Sequence, residues 1–306
     1  MSWKNLKTLA IAILLVMDVF FLYSLIARER AARYYDSELI DAATKIFHES
    51  SLYVDKSFLT ERIVSLPVYS GTLDEAFFEA LLEKMEGNGY TAEKETGGMR
   101  FVREDVELYI GNDFTFLYGS GGEYTSPSEM LESGSFVRCE PEDFPEILQA
   151  ARAFLSEYSE LHLAAGERFY YTCSFEELFV SGTDGVLCVS QEIGGRDTGN
   201  RLYLLYSDGQ ITAADGRFAI MAPVRKMTAQ TVGRMELLFA EKDYLDEKYR
   251  QGGEVSRENM VLEAVEDSYE VFFDADGSFY FVPVCTLTYR NGETRTYNSV
   301  SGEIYS

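Results

Sequence analysis

The feature that most constrains this chain is the run from Leu9 to Ile26, LAIAILLVMDVFFLYSLI, which holds a single Asp, Glu, Lys or Arg in 18 residues. As a helix rising ~1.5 Å per residue it would cover ~27 Å, close to the thickness of a bilayer core. A cleaved signal peptide would carry a shorter apolar stretch followed by a small-x-small site. Here Ala27-Arg28-Glu29-Arg30 follows and offers no such site. The run is therefore expected as a retained transmembrane helix over 9–26, with a tail at 1–8 and the remaining chain on one side of the lipid bilayer. Lys4 and Lys7 before it face Arg28, Arg30 and Arg33 after it, so the positive-inside count leaves the orientation open.

Asp18 lies in the middle of this run. A carboxylate at the centre of a spanning helix costs ~2.5–3.5 kcal/mol on insertion scales, and something must offset it. Protonation or an accompanying water would do so in an ordinary anchor. A hydrogen bond to a partner helix would also do so, on a face that helical spacing shares among Asp18, Ile11, Leu14, Leu15, Phe21, Leu22 and Leu25. Asp18, Leu14, Phe21, Leu22 and Leu25 are the candidate partner-contact residues.

Beyond the anchor, 306 residues with 46% hydrophobic side chains can bury a real core. Five of the 27 Lys and Arg and two of the 51 Asp and Glu fall in residues 1–33, which leaves 22 basic against 49 acidic residues, a net of −27, on the rest. Such a surface repels phosphate backbones and anionic head groups, which excludes a nucleic-acid partner.

The hydrophobic pattern predicts helices at 36–49, 73–86 (opened by Thr72 as N-cap with Glu75 after it), 141–158, 228–241 and 256–264. Short strands are expected at 66–69, 90–95, 99–103, 106–110 and 114–118, then at 168–174, 185–193, 201–207, 210–214 and 217–224, and finally at 267–273, 278–289 and 293–298. Gly119–Gly134, rich in Gly and Ser, is the best boundary. Helices followed by strands, occurring twice, predict an α+β chain of two tandem helix-plus-antiparallel-sheet units, 27–135 and 136–306.

Residues that carry chemistry are scarce. The two histidines, His48 and His162, have no second ligand one helical turn away, and a Ser-His-Asp or Cys-His site has little to draw on. The cysteines, Cys139, Cys173, Cys188 and Cys285, form no CxxC; buried thiols or one disulfide of undetermined pairing would account for them. Asp274-Ala275-Asp276-Gly277 places its glycine fourth, where a calcium loop needs it sixth, and reads as a hairpin turn. Two carboxylates would suffice for a glycosidase, but with 51 acidic residues no pair stands out. No catalytic residue, cofactor or metal is expected.

The opening Met1-Ser2-Trp3-Lys4-Asn5-Leu6-Lys7-Thr8, the apolar run with a polar residue at its centre, and the exit Phe20-Phe21-Leu22-Tyr23 resemble the YycI (WalI) family of Gram-positive bacteria. Leu66-Pro67-Val68-Tyr69 resembles the same family, and Arg295–Ile304 is similar to the closing strand of the PepSY-like modules that YycI and YycH proteins share. The resemblance implies a cytoplasmic N-terminus, an extracytoplasmic domain ending in a PepSY-like unit, and a non-enzymatic accessory protein. Its implied partners are a YycH-type protein and the WalK (YycG) sensor histidine kinase that governs cell-wall metabolism, in a homo- or hetero-oligomer. Two other readings follow from the same residues: an anchored PepSY-like inhibitor or chaperone of a secreted peptidase, and an exported carboxylate-dependent hydrolase.

Overall fold

The computed structural model describes residues 17–18, 21–25, 34–60, 66–120, 125–132, 136–159, 170–219, 222–250 and 260–305. They form an α+β chain of two compact units, one drawn from Met1–Leu66, Ala229–Glu266 and Val284–Ser306, the other from Pro67–Thr228 and Asp267–Pro283. This differs from the expected division at residue 135. The strands on either side of Gly119–Gly134 lie in one sheet, because β5 (Thr115–Ser120) pairs with β10 (Gln210–Arg217) through Phe116↔Gly216 and Tyr118↔Ala214. Backbone groups so far apart in sequence leave no local periodicity to announce their pairing.

The second unit is built on a nine-stranded antiparallel sheet. A meander of β2 (Thr91–Glu95), β3 (Gly98–Arg103), β4 (Val106–Gly111) and β5 comes first. The chain then crosses to the far edge at β6 (Val137–Cys139) and returns through β7 (Tyr171–Ser181), β8 (Asp184–Ile193) and β9 (Arg196–Ser207) to β10, which closes against β5. At the other edge, β2 exposes Thr91, Glu93, Lys94 and Glu95, and a charged edge of this kind resists pairing with other chains.

Two helices of this unit flank the sheet. α2 (Glu75–Gly87) buries Phe77, Leu81 and Met85 at helical spacing. Its N-cap is Asp74, whose Oδ1 accepts from Phe77 N at 2.9 Å, and not Thr72. Thr72 ends β1 (Val68–Thr72), where it is registered against Ser278, so the cap falls two residues later. α4 (Pro145–Ser159) buries Ile147, Leu148, Ala151, Phe154, Leu155 and Tyr158. The expected helix at 141–158 is thus split: Pro141–Asp143 forms a 3-10 turn, and Phe144, at φ −127° and ψ 69°, is held out of the helical region by Pro145. α3 (Pro127–Glu132) is a single short turn between them in the chain.

The same unit contains β1, β11 (Arg225–Met227), the C-terminal half of β12 (Leu262–Phe273) and the first residues of β13 (Ser278–Tyr289). β1 pairs with both β11 and β13. Of the strand expected at 217–224, only Arg217 is in a strand, as the end of β10, and the other described residues form none: Phe218 N bonds Phe114 O at 2.8 Å, Ala222 N turns back to Ala219 O, and Pro223 has no N–H to give.

The first unit packs α1 (Ser37–Glu49) and α5 (Arg234–Arg250) with β14 (Thr294–Asn298), the start of β12 and the end of β13. Phe47, Leu52, Leu59, Leu238, Leu245, Leu287 and Tyr297 form its core, and Phe47 meets Phe239 at 4.8 Å. α1 buries a narrower stripe than its sequence suggests, since Ala43, Thr44 and Phe47 are buried while Leu39 and Ile46 remain exposed. The helix expected at 228–241 begins later and runs to Arg250. The helix expected at 256–264 is a strand at Leu262–Ala264, where Leu262 N bonds Tyr53 O at 2.9 Å; residues 256–259 lie outside the described residues.

Gly216 shows how tightly the second unit's sheet is drawn. Its φ is +145°, and a Cβ there would stand 2.1 Å from Arg201 O on the neighbouring β9. Replacing it by alanine therefore adds backbone strain of about 1–3 kcal/mol to a collision with another strand's backbone. The expected result is a lower urea midpoint for the G216A full-length protein; an unchanged midpoint would refute the clash.

Candidate functional site

The segment that the sequence singled out is described only in part. Residues 17–18 and 21–25 are helical, while Leu14 and the remainder of 9–26 lie outside the described residues. Among the described residues no helix is long and apolar enough to cross a membrane. Asp18 is exposed, and so are Phe21 (59%), Leu22 (61%) and Leu25 (66%). Steps of three and four residues separate Asp18, Phe21, Leu22 and Leu25, the spacing that shares one face of a continuous helix, and residues 19–20 lie outside the described residues.

A buried charged cluster belongs to the first unit. Glu241 of α5 is fully buried (0% exposed) and Arg295 of β14 nearly so (7%). Arg295 Nη1 donates to Glu241 Oε1, Tyr297 Oη donates to Glu241 Oε2 at 2.5 Å, and Arg295 Nη2 reaches Glu293 Oε2 at 2.8 Å. The guanidinium also lies over the rings of Tyr244 (5.1 Å) and Tyr289 (5.2 Å). Burial alone would lower the Arg295 pKa, but the charges of Glu241 and Glu293 outweigh it and raise the value. Burial, reinforced by the Glu241 charge, pushes the Tyr297 and Tyr289 phenols well above their ordinary range. This set locks β14 to α5; its phenols are too weakly acidic to serve as proton donors near neutrality.

Three clusters of the second unit serve the same structural end. Asp215 of β10 accepts from Ser128 N at 2.9 Å, from Ser126 Oγ at 3.1 Å and from Ser128 Oγ, so it caps α3 from another strand. Arg201 holds Asp197 through two bonds of 2.8 and 2.9 Å and reaches Glu176 at 2.9 Å. Burial would raise the Asp197 pKa, but Arg201 holds it below the usual carboxylate value. Buried Gln191 accepts from Asn200 Nδ2 at 2.9 Å and from Ala219 N at 3.1 Å beside the irregularity in the β8–β9 register.

Burial pushes the Cys173 and Cys188 thiols up to about 11, which keeps them protonated at neutral pH, the opposite of an activated nucleophile. No disulfide joins Cys139, Cys173, Cys188 or Cys285. The His48 and Tyr53 rings lie 5.1 Å apart with their planes tilted by 41°, and His162 lies outside the described residues. Among the described residues no group of acidic, histidine and cysteine side chains is arranged to hold a metal.

A groove that the sequence reading did not anticipate lies between α2 and the β2–β3 hairpin. Its volume is 470 Å³, within the ~300–1,000 Å³ typical of ligand sites. Leu73, Phe78, Leu82, Ala92 and Met99 make its floor, and Glu75, Glu79, Glu86, Lys94 and Glu95 stand around it. The signal was present in α2, where Glu75, Phe78, Glu79, Leu82 and Glu86 recur at helical spacing beside the core stripe of Phe77, Leu81 and Met85. Such a second, half-apolar stripe has meaning only once a neighbouring hairpin is seen to rise beside it.

No family model matches the chain, and no curated protein matches it. The resemblance to YycI proteins therefore rests on the residues that carry it, at the N-terminus, at Leu66–Tyr69 and at Arg295–Ile304. Among solved structures the chain is similar to an uncharacterized protein from Eubacterium rectale ATCC 33656, at 14% identity over 81% of this chain and 87% of that one, with a TM-score of 0.40. It is also similar to the C-terminal domain of Bacillus megaterium YpeB, at 8% identity over 77% of this chain and 97% of that one, with a TM-score of 0.30.

Proposed function

We propose that this protein is a non-enzymatic accessory regulator, tethered by a transmembrane helix over 9–26, with a cytoplasmic N-terminus and its α+β units outside the cell. It acts on a sensor histidine kinase of the WalK type, together with a YycH-type protein, through helix contacts in the bilayer and through its extracytoplasmic surface. The observation that carries the reading is the 18-residue apolar run with Asp18 at its centre. A carboxylate at that depth is retained where it has a partner. Phe21, Leu22 and Leu25, exposed on the face of Asp18, give that partner an apolar seam. The Cys173 and Cys188 thiols, held in their protonated form, and a buried Glu241–Arg295 cluster that fixes β14 also favour a role by contact.

The test is recovery of the complex from the native membrane. Full-length protein should co-purify a histidine kinase, and Asp18→Leu should reduce that recovery several-fold while leaving the protein in the membrane fraction. Equal recovery with Asp18→Leu and with an unrelated anchor in place of 1–26 would refute the role of the helix face.

A further inference from the structure

The groove beside α2 has an unbalanced rim. Glu75 is paired with Lys94 at 3.8 Å, and Glu95 with Arg100 at 3.6 Å. Glu79 and Glu86 have no cationic partner among the described residues, and both are exposed. They lie seven residues apart on one face of α2, ~10 Å along the helix axis at ~1.5 Å per residue. Between and beside them Phe78 and Leu82, both half-buried, open onto the groove, with Ala92 and Met99 opposite on the hairpin. An apolar seat flanked by two uncompensated carboxylates on an acidic chain repels fatty acids, phosphates and acidic peptides alike.

We propose that this groove docks a basic, amphipathic peptide segment of a partner protein. A large apolar side chain enters between Phe78, Leu82, Ala92 and Met99, and two Lys or Arg residues on either side of it meet Glu79 and Glu86. The spacing favours a chain over a small cation: two charges ~10 Å apart correspond to about three residues of extended peptide or two turns of helix. Charge complementarity sets the choice of partner, and the apolar anchor supplies the larger share of affinity. This contact lies in the second unit and is independent of the proposed role of Asp18.

Full-length protein in zwitterionic nanodiscs, titrated into a dye-labelled nine-residue peptide with one leucine between two lysine pairs, provides the test by fluorescence anisotropy near physiological salt. Saturable binding is expected, weakened at least tenfold by the double change E79K/E86K and abolished when the peptide leucine becomes serine. E142K, an equal kind of charge reversal at an exposed glutamate outside the groove, should change the affinity less than twofold. Three results would each overturn the proposal: no saturable binding, equal losses from E142K and from E79K/E86K, or equal affinity for a peptide with glutamates in place of its lysines.

Discussion

Replacing Glu241 by alanine should destabilise the protein by about 3–5 kcal/mol, because it leaves the nearly buried Arg295 without its principal counter-charge. Only 7% of Arg295 is exposed, and Glu293, its remaining partner, stands half in solvent. Arg295→Met should cost a similar amount by stranding a fully buried carboxylate. The native pair is nevertheless a poor source of net stability, since both ions pay desolvation to reach it. The combination Glu241→Leu, Arg295→Met and Tyr297→Phe, which also removes the hydroxyl that donates to Glu241, should therefore recover most of the loss. Chemical denaturation of the full-length protein checks both statements. A triple variant as unstable as the singles would mean that the cluster stabilises beyond its charge pairing.

Phe279→Ala should cost about 3–5 kcal/mol in the second unit, the range for emptying a large aromatic site that cannot collapse. Phe279 is fully buried, and its ring meets Phe114 at 4.8 Å, Phe281 at 5.9 Å and Phe273 at 6.4 Å. The neighbouring β1 accommodates it only because residue 71 is glycine. A Cβ there would lie 2.3 Å from Phe279 Cζ and 2.6 Å from Pro223 O. Backbone on one side and rings on the others leave nothing flexible to fill the void. An unfolding free energy reduced by less than about 1 kcal/mol would show that the site does collapse.

These two positions illustrate what could be read in advance. Phe279 opens the unbroken apolar run Phe279–Cys285, which marks a strand in the sequence, while the inward facing of Phe279 and Phe281 on either side of half-buried Tyr280 follows from the pleat of that strand. The role of Gly71 does not, because the ring that excludes a side chain there lies more than 200 residues away. Arg295 was legible only as part of a closing strand pattern. That it is buried, and that Glu241 is its partner, depend on α5 meeting β14, a contact between residues 54 apart in the chain. The mean polarity of α5 hides this burial, for a charged residue in a helix ordinarily marks the solvated face.

The sequence by itself determined the elements that obey local rules, to within a residue or two at their ends: the amphipathic helices expected at 36–49 and 73–86, the four-strand meander expected over 90–118, the hairpins turned at Asp276-Gly277 and Asn291-Gly292, and the apolar run containing Asp18. Each is encoded by residues within a few positions of one another, through side-chain period, capping and turn conformation. The tertiary structure alone decided the pairing of β5 with β10, the assembly of the first unit from three separated segments, the Glu241–Arg295 cluster and the groove beside α2. All of these join residues distant in the chain, and what selects such contacts is the burial of whole surfaces and the satisfaction of buried polar groups. Neither leaves a mark within a short window of sequence.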